Sequence, residues 1–187
     1  GWIEEHNYFL RVGKWREKQG EAFDGKLAEY AEEVRHAGLQ FGIWIEAEFF
    51  HESTPEIAEH PEWFARCRQN CWRLRLENPE AAAYFRDSII EIIEKYHPTY
   101  IKNDMNHSQE RDDDGSELAV YTRALHRIWS DLRRRFPEIC FESCSSGGMR
   151  AGIEMLQDYD TYFISDNANS VDMLQIAQGM MLRLLPG

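Results

Sequence analysis

Residues 79–105 read PEAAAYFRDSIIEIIEKYHPTYIKNDM, and this stretch decides the fold. Pro79 suits the first turn of a helix, where its missing N–H leaves no bond unmade. Ala82, Phe85, Ile89, Ile92 and Ile93 then recur at helical spacing, which predicts one apolar face as far as Tyr96. Thr99 to Met105 follows as a short strand with a carboxylate, Asp104, at its end. A helix that feeds directly into a strand is half of a βα repeat, and the flanking sequence continues it.

Upstream, Leu27, Tyr30, Ala31, Val34 and Ala37 mark a helix over 24–37 that Gly38 stops, and FGIWIEAE over 41–48 is a strand. A further short strand is expected at 72–77, where WRLRLE alternates before Asn78-Pro79. Downstream, a polar loop runs through Asp112 to Gly115. A helix over 116–135 follows, with a Ser116 cap and Leu118, Tyr121, Leu125, Ile128, Trp129 and Leu132 on one stripe. Pro137 ends it. Strands at 139–144 and 161–166 and a Ser-capped helix over 170–185 complete the chain.

Such alternation implies a parallel sheet with right-handed crossovers, either doubly wound or closed as a barrel. No strand is followed by Gly-x-Gly-x-x-Gly or a P-loop, which lowers a nucleotide-binding reading. A complete eight-unit barrel takes about 250 residues. The 187 residues here offer five strands, so the expected fold is α/β, a partial (β/α)8 TIM-type barrel forming part of one domain.

Composition narrows the partners. A formal net charge of -12 argues against nucleic acid, whose phosphates it repels. No run approaches the roughly 20 apolar residues of a membrane span. Nor does a basic-then-apolar leader open the sequence, which points to the cytoplasm, and the missing initiator Met suggests an excerpt of a longer chain. Cys67 and Cys71, and Cys140 and Cys144, are spaced so that a zinc site with His51, His60 or His107 is conceivable, but reduced cysteines are the working expectation. Glu110-x-Asp112-x-Asp114-Gly115 starts like a calcium loop, yet Tyr121 stands where a bidentate Glu belongs, so it reads as a solvated loop.

Barrel enzymes carry their chemistry at the C-terminal ends of the strands. Here those ends hold Glu46 and Glu48, Lys102 and Asp104, Glu142 and Cys144, and Asp166. Strand periodicity puts Trp44, Glu46 and Glu48 on one face, and Lys102 with Asp104 opposite in sense to Ile101 and Asn103.

Several segments, in order, resemble glycoside hydrolase family 36, the α-galactosidases. GLQFGIWIEAE over 38–48 is similar to the family's GLKFGLWFEPE, and HPEW over 60–63 to its HPDW. YIKNDMN over 100–106 resembles YIKWDMN, FESCSSGG over 141–148 resembles FENCSSGG, and Ser165-Asp166-Asn167 matches its SDN. Gly1-Trp2-Ile3 looks like the tail of DDGWF. The resemblance covers nearly the whole chain. It implies a retaining hydrolase of terminal α-linked galactose, with Asp104 as nucleophile and Asp166 as general acid/base. It also implies sugar contacts from Lys102, Asn106 and Cys144, and a pocket wall from Trp44. No cofactor or metal is expected. The implied partner is an α-galactoside oligosaccharide or glycoconjugate, and the full-length protein has room for a homo-oligomer.

Two electrostatic expectations follow from the motif neighbours. Lys102 should keep Asp104 ionised, and burial among Tyr162, Phe163 and Ile164 should favour the protonated form of Asp166. Departures from the family are Ala47 for Pro, Asn103 and Phe163 for Trp, and Met149 for a third Gly, while Arg66 or Arg68 could supply an expected Arg. Asn103 is expected to remove an aromatic wall. That leaves open α-N-acetylgalactosaminidase or transglycosylase activity on the same scaffold, or a non-catalytic carbohydrate-binding barrel.

Overall fold

The computed structural model describes residues 2–3, 13, 15–20, 23–68, 70–106 and 116–182. Its centre is a parallel sheet of β1 (Gly42–Ile45), β5 (Tyr100–Asn103), β6 (Cys140–Ser143) and β7 (Thr161–Tyr162), in the order β1-β5-β6-β7. Parallel neighbours require crossovers, and helices supply them. These are α3 (Pro79–Tyr96) before β5 and α4 (Ser116–Arg135) before β6, with α1 (Leu27–His36) leading into β1. This is the α/β arc of a barrel that the alternation implies.

Register sorts the strand residues into two faces. Ile43, Ile101 and Phe141 align across β1, β5 and β6 as an apolar row. This row belongs to the main core, together with Phe85 and Ile89 of α3 and Leu125 and Trp129 of α4. Trp129 meets Phe85 and Phe141 edge-on, at 6.2 and 5.6 Å between ring centroids. One residue further along, Trp44, Lys102 and Glu142 align on the opposite face. The sheet is therefore apolar toward its helices and polar toward the barrel interior.

Strand 72–77 is the exception. Its ordered part, β4 (Cys71–Leu74), lies outside the parallel sheet, antiparallel to both β2 (Phe49–His51) and β3 (Phe64–Arg68). The parallel sheet thus has four strands rather than five. Strict alternation such as WRLRLE belongs to an antiparallel strand with one wetter face, and no long helix separates 48 from 72 to make a crossover. Between β2 and β3 lie only α2 (Pro55–Glu59) and a 3-10 turn at Pro61–Trp63.

Two of the helix starts, those of α3 and α5, are set by asparagines. Asn78 Oδ1 accepts from Glu80 and Ala81 N–H at 2.8 and 3.3 Å ahead of α3. The last helix, α5 (Ser170–Met181), is capped by Asn169, which accepts from Val171 and Asp172, and not by Ser170. The loop 107–115, with the calcium-like residues and His107, lies outside the described residues, as do Gly1, residues 183–187 and the side chains of Arg68 and Ser116. Among the described residues no disulfide joins the four cysteines. Cys67 donates to the Cys71 carbonyl in the antiparallel sheet, and among the described residues no three metal-ligating side chains converge. Nor is any described helix long and apolar enough to cross a membrane.

A buried ion pair ties these layers together. Glu48 is 0% exposed and takes both arms of the Arg150 guanidinium, at 2.6 and 2.8 Å, plus the Tyr121 hydroxyl of α4. Removing one partner strands the other charge. Arg150→Met should therefore destabilise the fold by about 3–5 kcal/mol, measurable by urea unfolding, whereas a surface change such as Arg134→Met should cost under about 1 kcal/mol.

Candidate active site

The polar face of the sheet ends in a row of side chains because the ladder runs past the strands. Asp104 N–H donates to Ile45 O at 2.8 Å, Cys144 N–H to Asn103 O at 2.8 Å, and Phe163 N–H to Ser143 O at 2.9 Å. These bonds hold the first residues beyond β5, β6 and β7 in strand register.

Asp104 is only 6% exposed. Its Oδ2 accepts from the Trp44 indole at 3.1 Å and the Asn106 amide at 2.9 Å, and its Oδ1 accepts from Met105 N–H at 2.7 Å. The Cys144 thiol donates as well. Burial alone would raise the pKa of Asp104, but donation from Cys144, Trp44, Asn106 and Met105 outweighs it and leaves the carboxyl below its usual value. The Cys144 thiol is pushed up to about 12, chiefly by burial, against a hydrogen bond from Gly147 N–H and with the Asp104 charge adding to the rise. It stays a neutral donor at physiological pH.

Lys102 makes its own contacts with groups other than Asp104. Its ammonium lies 3.3 Å from the centroid of the Phe163 ring and 3.4 Å from Glu142 Oε1. The contacts that depress Asp104 are neutral donors, and the cation is occupied one row below. Phe163 thus keeps an aromatic face under the lysine where the family motif has Trp.

Asn103 corrects another expectation. It is buried on the face of Ile101, where its amide donates to the Tyr159 hydroxyl at 3.2 Å. A side chain on that face lines no wall of the polar pocket, so the exchange of Trp for Asn leaves the pocket's outline alone. Asp166 also departs from expectation. It stands exposed beyond β7, and Tyr162, Phe163 and Ile164 are themselves only half-buried.

What carries Asp166 is a glycine turn. Ser145 N–H bonds Gly147 O at 2.8 Å, and Gly148 N–H bonds Ile164 O at 3.1 Å. Gly147 has φ +86°, and a Cβ there would come within 3.1 Å of Ser165 Cα. A Cβ on Gly148 would lie 3.1 Å from Ile164 O. The backbone leading into Asp166 is laid directly on this turn. Met149, in place of a third glycine, is 68% exposed.

Sequence reasoning placed Glu46 at a strand end but gave it no role. It is fully buried, and both its oxygens face Asn106: Oε1 accepts the backbone N–H, and Oε2 lies 3.4 Å from the side-chain amide. Burial is the main force that pushes its pKa up to about 8; the Asn106 bonds oppose it, and the charges of Asp104 and Glu48 reinforce it. The structure therefore brings Trp44, Asp104, Asn106 and Cys144 into one hydrogen-bonded group with Glu46 beneath. Lys102 sits beside the group, and Asp166 does not join it.

The melibiase family profile matches residues 1–186, the whole span that carries this arrangement. The chain belongs to the melibiase family. Among melibiase relatives, an α-galactosidase from Escherichia coli is 29% identical over 190 residues, covering 96% of this chain and 27% of that protein. α-Galactosidase C from Emericella nidulans is 32% identical over 155 residues, covering 79% of this chain and 21% of that protein. The crystal structure of the family 36 α-galactosidase AgaA from Geobacillus stearothermophilus superposes with a TM-score of 0.86 at 29% identity, over 97% of this chain and 27% of AgaA. The chain thus spans 27% of the length of the Escherichia coli and Geobacillus relatives, about a quarter.

The glycine turn gives a direct test. Gly147→Ala adds a Cβ against Ser165 on a left-handed backbone, and should lower stability by about 1–3 kcal/mol, read by denaturant unfolding. Gly152→Ala, where a Cβ meets nothing within 4 Å, should cost far less.

Proposed function

We propose that the full-length protein hydrolyses terminal α-linked galactose with retention, with Asp104 as nucleophile and Asp166 as general acid/base. The observation that carries the reading is Asp104 itself: a buried carboxylate at a barrel strand end, kept ionised by four hydrogen-bond donors. A carboxylate in that state is ready to attack the anomeric carbon. Relatives support the sugar, since the curated proteins matched are α-galactosidases, and AgaA variants have been crystallised with raffinose and stachyose. A galactosyl oligosaccharide is the substrate class that follows.

In the first step an Asp104 oxygen forms a bond to C1 while the bond from C1 to the glycosidic oxygen breaks. Asp166 gives its proton to the departing oxygen. In the second step water attacks C1, Asp166 takes the water proton, and the ester bond to Asp104 breaks. Retention of this kind needs the two carboxyl groups about 5–5.5 Å apart in the working complex. Asp166 is exposed on its glycine-supported segment, a position open to the aglycone side. We assign Lys102, set between Phe163 and Glu142, to the hydroxyls of the sugar.

Azide rescue separates the two roles, since each displacement inverts C1. With p-nitrophenyl α-galactoside, Asp104→Ala should lose turnover and yield β-galactosyl azide, while Asp166→Ala should yield α-galactosyl azide. The opposite pattern would reverse the assignment, and no rescue of either would sink it. The pH profile follows from the depressed Asp104 pKa. Asp104 must be ionised to attack, so the acid limb of kcat/KM should lie below the ordinary carboxylate value of 3.8. Cys144→Ala and Trp44→Phe each remove a donor to the charged form, so each should move that limb to higher pH.

A further inference from the structure

We propose that Glu46 is a positioning residue that aims the Asn106 amide at Asp104. The inference rests on Asp104 being the nucleophile. Asn106 lies beyond β5, exposed, and past Asp104 N–H, which bonds Ile45 O. Strand pairing therefore does not place it. Glu46 does, from below: its Oε1 accepts Asn106 N–H and its Oε2 lies 3.4 Å from Asn106 Nδ2. The same Nδ2 donates to Asp104 Oδ2 at 2.9 Å, and Asn106 Oδ1 accepts from the Ser146 hydroxyl at 3.1 Å. A primary amide has two N–H donors and one carbonyl, and all are engaged. Flipping it would turn the carbonyl onto the Asp104 carboxylate and its NH2 onto Ser146.

The chemistry of Glu46 suits this task. A fully buried carboxyl group is costly, and an apolar residue would serve packing better. The charged neighbours that bear on it are Asp104 and Glu48, and Glu48 is already neutralised by Arg150. Near neutral pH Glu46 holds a proton, in keeping with its rise to about 8. It can thus orient Asn106 without setting a second negative charge beside the nucleophile.

The test uses the full-length protein and p-nitrophenyl α-galactoside. Glu46→Leu and Asn106→Ala should each lower kcat by roughly 10- to 100-fold, the worth of one hydrogen bond to a charged group, with KM little changed. If Glu46 acts through Asn106, the double variant should be no slower than the slower single one. Glu46→Gln, which keeps the shape and one acceptor, should recover most of the loss. An unchanged kcat in Glu46→Leu, or a double-variant loss equal to the product of the singles, overturns the proposal. Should Glu46→Leu not fold, the same cycle is run with Glu46→Asp, whose shortened side chain withdraws the acceptors from Asn106. Failure of the underlying reading shows separately, as the absence of β-galactosyl azide from Asp104→Ala.

Discussion

Asp104 stays ionised while almost wholly removed from water, and the described groups that do most to hold its charge are neutral donors. Taking a carboxylate out of water is expensive unless its lone pairs are met by donors that cannot leave. Here the donors are an indole, a thiol, an amide and a backbone N–H, drawn from the ends of β1 and β6 and from the loop after β5. Each is neutral. The carboxylate is therefore kept charged chiefly by neutral donors.

That arrangement depends on three strand ends arriving together, and the parallel ladder brings them. The bonds from Asp104 to Ile45 and from Cys144 to Asn103 extend the pairing just far enough to hold both side chains in register. Beyond this point the backbone leaves the sheet, and other devices take over. Glu48 and Arg150 anchor the loop after β6 to the end of β1, Glu46 holds Asn106, and Gly147 and Gly148 let the Ile164–Ser165 backbone lie close.

Much of this was legible in the residue order. The helix over 79–96 was readable to the residue, because Pro79, the apolar period and the helix length agree, and the strand after it was readable in place though shorter than expected, Tyr100–Asn103 within 99–105. Asp104 and Cys144 could be nominated because polar residues at successive strand ends are out of place in a core, whereas Trp44 and Asn106 were nominated only by the resemblance to family 36. Strand 72–77 was misassigned because a short alternating run does not say which partner it will find. Glu46 was passed over because its importance comes from Asn106, a loop residue 60 positions later.

The sequence by itself determined the βα alternation, the apolar and polar faces of each strand, and the carboxylates at the strand ends, since these follow from local periodicity and composition. Only the tertiary structure decided which donors surround Asp104, that Lys102 turns to Phe163 and Glu142, and that Asn103 faces the helices. It alone also sent β4 to a separate sheet and left Asp166 exposed on a glycine turn. These are matters of which distant residues meet. Burial and hydrogen-bond satisfaction are settled by the meeting, not by any one segment.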